Sequence, residues 1–346
     1  MTKVLKIGNR VIGGGNPVLI QSMVNTKTAD IDATVASILQ LEKAGCEIIR
    51  ATVPDKESAD AIKEIKKRIN IPLVADIHFD HRLAIQAVKN GVDKVRINPG
   101  NIGSEEGVKA LVDVLKDYSV PVRIGVNGGS LDKEIEEKYG NGAEALVESA
   151  LKHVAILEKF GFYEICISVK ASSVVKTVQA YELLSKKVDY PLHLGVTETG
   201  NYTTGLVKSS VGIGSLLLKG IGDTLRVSLV GDPIREVYAA KDILAASGRR
   251  EFGVEIVACP TCGRTEIQVE KLAEKVAEYT SACAKKIKIA VMGCVVNGIG
   301  EGKDADIGVA GGKDKSVLFS KGQILKTVSN EDLEKELFEL IDKYVK

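Results

Sequence analysis

Three cysteines and a glutamate in the last hundred residues are the side chains best suited to chemistry: Cys259 and Cys262 in Cys259-Pro260-Thr261-Cys262, then Cys294, then Glu301. Thiolates are soft ligands that select zinc or iron–sulfur clusters, and a C-x-x-C pair can grip one centre from a single loop. Cys294 stands in Gly293-Cys294-Val295-Val296-Asn297-Gly298, where glycines permit a backbone tight enough to bring a distant thiolate to the same centre. A zinc site would need a carboxylate or Cys283 as its fourth ligand, because His78, His81, His153 and His193 all lie in the first two thirds of the chain. Closed structural zinc sites prefer four strong ligands, whereas three cysteines and a displaceable carboxylate suit a cluster with one open iron. A thioredoxin-like Cys259–Cys262 disulfide would open a helix in a βαβ unit and has no use for a third cysteine.

The elements that must position these groups fall into two parts. Across the first 250 residues, short β-branched runs recur at Val18–Met23, Glu47–Val53, Leu73–Ile77, Lys94–Asn98, Val122–Val126, Glu164–Val169, Leu192–Val196 and Thr224–Leu229. Amphipathic stretches with helical spacing separate them, among them Asp32–Ala44, Glu105–Lys116 and Pro233–Ala246. Eight such pairs predict a TIM (β/α)8 barrel over residues 1–249. A doubly wound sheet would normally show fewer strands at this regularity and a Gly-rich first turn. The polar junction Ser247–Gly253 marks a linker, and residues 250–346 read as a small α+β domain, with strands at Val254–Ala258 and Lys288–Met292 and a helix over Glu266–Ala282. The thiols then sit at the ends of its first two main strands, where a scaffold commonly presents chemistry.

Alternation along the barrel strands places Arg50, Asp76, Arg96 with Asn98, Arg123 with Asn127, Ser168 with Lys170, His193 with Thr197, and Arg226 with Ser228 at equivalent strand ends. An inward orientation crowds them at the C-terminal mouth, where barrel active sites are built. Arg50, Arg96, Arg123, Lys170 and Arg226 then face mainly Asp76 as counter-charge. Poorly paired ions in a partly desolvated mouth cost on the order of several kcal/mol each. An anionic ligand is expected to supply the balance, and guanidinium forks suit a diphosphate better than a lone carboxylate.

Composition bounds the partners. With 47 basic and 46 acidic residues in 346, nothing indicates a nucleic-acid or membrane polyelectrolyte. The opening residues hold no continuous apolar segment, no run approaches membrane-spanning length, and six cysteines are too few for a disulfide scaffold. The expectation is a cytoplasmic protein without a signal peptide. Cys46, Cys166 and Cys283 are expected as buried small hydrophobes.

The C-terminal series Cys259-Pro-x-Cys262, Gly293-Cys294-Val-Val-Asn297-Gly298 and Gly300-Glu301 resembles the bacterial two-domain 4-hydroxy-3-methylbut-2-enyl diphosphate synthases of the methylerythritol phosphate route. The likeness runs through Gln21-Ser22-Met23, Ile49-Arg50, Asp76-Ile77-His78-Phe79, Val95 to Asn101, Arg123 to Asn127, Ser168-Val169-Lys170, Gly195-Val196-Thr197-Glu198 and Arg226-Val227-Ser228. It implies two-electron reduction of 2-C-methyl-D-erythritol 2,4-cyclodiphosphate, with ring opening and loss of water, giving (E)-4-hydroxy-3-methylbut-2-enyl diphosphate. It further implies a 4Fe-4S cluster held by Cys259, Cys262, Cys294 and Glu301, and a flavodoxin or ferredoxin as electron donor. Substrate contacts carried over are Arg50, Arg96, Asn98, Arg123, Asn127, Lys170, Thr197, Arg226, Ser228 and Asn297, with Glu198 as acid/base. Glu198 follows Thr197 and by alternation faces the other way unless the strand has ended; His78 is its rival as proton donor. The resemblance implies a head-to-tail homodimer in which one chain's cluster domain caps the other's barrel. The alternative is a barrel lyase or aldolase using Lys170 as Schiff-base nucleophile, with a structural zinc in the tail. A non-catalytic iron–sulfur scaffold or RNA-binding regulator is a third reading, and the near-zero net charge opposes its nucleic-acid form.

Overall fold

Short polar caps set where the barrel helices begin. In the computed structural model, which describes residues 1–98, 101–131, 133–281, 283 and 285–345 (Ser130 and Lys133 by backbone alone), Asp30, Asp55, Asp80, Ser104, Ser173, Asn201 and Asp232 each accept a backbone N–H of the helix they precede. A side-chain oxygen there satisfies one of the orphan donors of a first turn. Pro99 and Gly100 of the matched stretch, and Ala282 at the expected helix end, lie outside the described residues.

The chain opens with an antiparallel hairpin, β1 (Leu5–Ile7) and β2 (Arg10–Ile12), which the sequence reading did not anticipate. Strand–helix pairs follow: β3 (Leu19–Met23) and α1 (Ile31–Ala44), β4 (Ile48–Thr52) and α2 (Lys56–Arg68), β5 (Leu73–Asp76) and α3 (His81–Lys89), β6 (Lys94–Ile97) and α4 (Glu105–Tyr118). Next come β7 (Val122–Asn127) with α5 (Lys133–Tyr139) and α6 (Ala143–Lys159), then β8 (Ile165–Lys170) and α7 (Val174–Lys187). The last pairs are β9 (His193–Leu194) with α8 (Tyr202–Leu218) and β10 (Thr224–Leu225) with α9 (Pro233–Ala246). The parallel order β8-β7-β6-β5-β4-β3-β10-β9 is closed by a bridge between Ile167 and Leu192, making the expected (β/α)8 barrel. Both strand faces are buried, as parallel sheets under helices require. The hairpin closes the N-terminal end: Leu5, Ile7 and Ile12 pack on Leu19, Ile48, Val74 and Cys166 inside the barrel.

Residues Met1–Arg250 and Glu251–Lys346 form two compact units. Arg250 is tied to the first, where its guanidinium donates to Val18 O (2.9 Å) and the Glu47 carboxylate (2.6 Å). The second unit holds β11 (Val254–Ala258), α10 (Val269–Thr280), β12 (Ile287–Met292), α11 (Val295–Glu301), β13 (Ile307–Ala310), β14 (Lys315–Ser320), β15 (Gln323–Ser329) and α12 (Leu333–Val345). Its sheet runs β11-β12-β13-β14-β15, parallel through β13 and antiparallel beyond. Val276 of α10 and Leu337 and Ile341 of α12 share a core with Ile289 and Val309 of the sheet.

Most of the Gly293–Gly298 stretch, where the glycines predict a tight backbone, is the start of the helix α11. Gly298 and Gly302 lie one turn apart and face the sheet, where a Cβ on Gly298 would fall 2.7 Å from Met292 Cβ and one on Gly302 would fall 2.7 Å from Phe319 Cζ. These glycines serve close helix–sheet packing. Gly298→Val is therefore expected to lift α11 off the sheet and cost about 2–3 kcal/mol of stability, measurable by urea unfolding. An unchanged midpoint would show that α11 is not wedged.

Candidate active-site residues on the two units

In a parallel ladder, register partners point to the same side. Arg50 sits beside Val74, Val74 beside Lys94, Asp76 beside Arg96, Arg96 beside Arg123, and Asn127 beside Lys170, so the expected polar residues share the inner face. Asp76 is the hub of one side: Arg96 Nη1 lies 3.1 Å from its Oδ1 and Arg50 Nε 3.6 Å from its Oδ2. Burial alone would raise the Asp76 pKa, but Arg50, Arg96 and Arg123 together hold it below the usual carboxylate range. Met23 Sδ accepts from Arg50 Nη2 at 2.7 Å.

A second counter-charge comes from a helix. Glu236, near the start of α9, reaches Arg226 Nη2 and Nε at 3.3 Å each and accepts from Leu229 N at 3.0 Å. Strand alternation was blind to it, because α9 supplies it from outside the sheet. The balance remains positive. Arg123 is 1 % exposed, donates only Nη1, to Ser168 Oγ at 2.7 Å, and leaves Nε and Nη2 without acceptors among the described residues. The Lys170 side chain is buried among the strand-end arginines. Burial lowers the Arg123 pKa to about 10 and the Lys170 pKa well below its ordinary value, with neighbouring arginines adding to both. The buried Oδ1 of Asn98 likewise meets no partner among the described residues.

Two glycines that the sequence reading did not single out let these cations lie against the backbone. A Cβ on Gly125 would collide with Arg96 Nε, and one on Gly195 would fall 2.5 Å from Lys170 Nζ. Each shares the inward parity of a cation on a neighbouring strand, the one signal that could have pointed to it.

Glu198 escapes the alternation argument. Strand β9 ends at Leu194, and Glu198 is exposed with φ +54°, a left-handed backbone that favours glycine. Its neighbour Thr199 anchors the turn by donating to Ser228 O at 2.6 Å, and Thr197 N donates to Ala171 O at 3.3 Å. Strain of this kind concentrates at functional sites. Glu198→Gly is expected to raise the unfolding free energy by up to about 1 kcal/mol while removing activity, and a lowered thermal midpoint would refute the strain. His78 fits less well as proton donor. Burial lowers its pKa, and Arg96 Nη1 lies 2.7 Å from Nε2, an arrangement suited to a neutral ring that accepts.

On the second unit, β11 and β12 are adjacent and parallel, so Cys259 and Cys294 leave the same edge of the sheet. Gly293 N donates to Cys259 Sγ at 3.0 Å. Gly293 must lack a side chain, since a Cβ would fall 2.9 Å from Thr265 Cγ2. Cys262 is exposed, and a backbone hydrogen bond from Arg264 lowers its thiol pKa. Cys294 caps α11, whose seven residues rise about 10 Å to Glu301 at the other end. Among the described residues no three His, Cys, Asp or Glu side chains gather closely enough to grip a single metal ion. The donor set suits a cluster, whose ligands attach at separate irons and so are spread wider. Asn297 lies on α11, between Cys294 and Glu301. Cys46 and Cys166 are buried as expected, but Cys283 is partly exposed. It precedes β12 whereas Cys294 follows it, and a strand length of about 20 Å removes Cys283 as a fourth ligand.

Fold and sites together define a two-domain barrel protein with a cation-rich mouth on one unit and a soft-metal thiol set on the other. The GcpE TIM-barrel domain family matches residues 2–241 and the GcpE protein C-terminal domain family matches residues 255–343. The chain belongs to the GcpE family. A relative from Caldanaerobacter subterraneus subsp. tengcongensis is 59 % identical across 100 % of this chain and 98 % of its own, and is named 4-hydroxy-3-methylbut-2-en-1-yl diphosphate synthase (flavodoxin). Relatives of the same name from Fusobacterium nucleatum and Clostridium perfringens are 55 % and 54 % identical over 98 % and 99 % of this chain and 96 % and 98 % of their own. Among solved structures, the dihydropteroate synthase of Yersinia pestis superposes with a TM-score of 0.51 at 11 % identity, over 72 % of this chain and all of that one, a likeness of fold alone.

Proposed function

We propose that this chain reduces 2-C-methyl-D-erythritol 2,4-cyclodiphosphate, opening its ring and eliminating water to give (E)-4-hydroxy-3-methylbut-2-enyl diphosphate, the product in its relatives' name. The observation that carries this reading is the cation excess of the barrel mouth, above all the N–H groups of Arg123 that lack acceptors among the described residues, beside the buried Lys170. An oligophosphate supplies the missing acceptors. Arg50, Arg96, Arg123, Lys170 and Arg226 bind it, and Asn98, Asn127, Thr197, Ser228 and Asn297 add hydrogen bonds that orient the carbon skeleton. Glu198 holds the proton for the departing oxygen, its carboxyl turned by the left-handed backbone at that residue.

Cys259, Cys262, Cys294 and Glu301 hold a 4Fe-4S cluster in this reading. When bound, that group supplies the two electrons, received from flavodoxin, the donor in the relatives' name. The working form is a head-to-tail homodimer in the cytoplasm. Among the described residues no helix is long and apolar enough to cross a membrane. The lyase with a structural zinc loses support, because Cys283 stands away from the other thiols and the family is one of diphosphate synthases.

Anaerobic turnover of the cyclodiphosphate with an artificial one-electron donor, followed by mass, tests the reading. Product from a brown protein is expected. No product from a protein with an intact cluster, or a colourless protein with stoichiometric zinc, overturns it. A monodisperse monomer with full activity overturns the dimer.

A further inference from the structure

Beneath the mouth lies a second polar tier that the proposed chemistry does not use. Lys94 is two residues before Arg96 on β6 and faces the same way, about 6.6 Å deeper along the strand. It is 0 % exposed, and its Nζ meets no hydrogen-bond partner among the described residues. Val74 stands directly beside it on β5, with Arg50 beyond on β4. Arg123 on β7 and Cys166 on β8 act on it electrostatically, and His193 on β9 feels both Lys94 and Lys170. Gln21 on β3 is also buried, and among the described residues neither end of its amide is bonded and His193 Nε2 is without a partner. The carboxylates that serve the mouth are committed higher up, Asp76 to Arg50 and Arg96 and, from α9, Glu236 to Arg226.

An amine enclosed among cations, with no acceptor, is destabilised in its charged form. We propose that Lys94 is a proton-accepting second tier of the phosphate site, shedding its proton in mildly alkaline solution while the barrel is empty and regaining it when an oligophosphate fills the mouth, so that anion binding there draws a proton from solvent. Burial, with Arg123 and Arg50 adding repulsion, brings its pKa from 10.5 to about 8, within reach of the field of an incoming multivalent anion. Lys170 is poised to respond similarly, but it touches the ligand; Lys94 responds through the field alone. This inference rests on the phosphate-binding reading of the mouth.

Titration calorimetry of pyrophosphate into the anaerobically purified full chain near pH 8.5, in two buffers of different ionisation enthalpy, counts the protons taken up. Lys94→Met is expected to bind pyrophosphate while taking up fewer protons than the wild type, by half a proton or more. Contributions from the ligand and from Lys170 are common to both proteins. Equal uptake overturns the inference while leaving the phosphate site standing; no binding by the wild type overturns both. Denaturant unfolding provides the second readout. With its folded pKa lowered, Lys94 weakens the fold fully below about pH 8, and the penalty is relieved as pH rises toward 10.5. Lys94→Met should therefore unfold at higher denaturant near neutral pH, with the margin closing in alkali. A lower midpoint at neutral pH, or failure of both Lys94→Met and Lys94→Gln to fold, overturns the inference.

Discussion

Cys294→Ala is expected to yield a colourless protein with no cyclodiphosphate turnover, a loss of at least about 10⁴-fold, while the barrel still binds pyrophosphate. Cys294 caps α11 and leaves the sheet beside Cys259, so its removal takes one of two thiols that share an edge. Glu301→Ala should behave differently. In the proposed ligand set, the carboxylate at the far end of α11 is the weakest of the four, and three thiolates are expected to retain the cluster without it. That variant is expected to stay brown and still lose turnover. Visible absorbance and iron content, read beside activity, separate the two. A brown, active Glu301→Ala enzyme would remove Glu301 from the chemistry.

The second large effect belongs to Arg123. Arg123→Met should lower kcat/KM about 10²–10³-fold, chiefly through KM, because a fully enclosed guanidinium has no solvent substitute when it is removed. Stability should hold or rise, since the deleted charge has one neutral partner, Ser168. Arg226→Met provides the contrast. It strips Glu236 of its cation and should cost about 1–3 kcal/mol of stability, because the carboxylate stays buried with only Leu229 N and Ser22 Oγ to serve it. Steady-state kinetics and urea unfolding of both variants decide the matter. Matching stability losses would contradict the assignment of Arg123 as the cation waiting for ligand.

The barrel was legible because its signals are local. β-branched runs mark the strands, and residues such as Asp30, Asp55 and Asp232 mark the helix starts. Alternation then placed Arg50, Arg96 and Arg123 on one face without any tertiary information. Signals that depend on packing were lost. Gly298 and Gly300 weaken helix propensity, and the close approach of Gly298 to Met292 shows what the sheet requires of α11. Glu236 was missed because a helix carries it over the strand ends. The hairpin of β1 and β2 has three residues on each side, too few for a periodic pattern. Lys94 shares the parity of Arg96, yet the depth that makes it unusual is invisible until the barrel closes.

That hairpin shapes traffic through the enzyme. With Leu5, Ile7 and Ile12 stoppering the N-terminal end, the barrel is a cup with one rim and not a tube with two doors. On the proposed reading, substrate enters and product departs across the same ring of arginines, and both carry a diphosphate for it to hold. Each molecule of product must clear the rim before the next substrate can settle, so product inhibition competes directly with substrate, and the grip that favours capture also slows release.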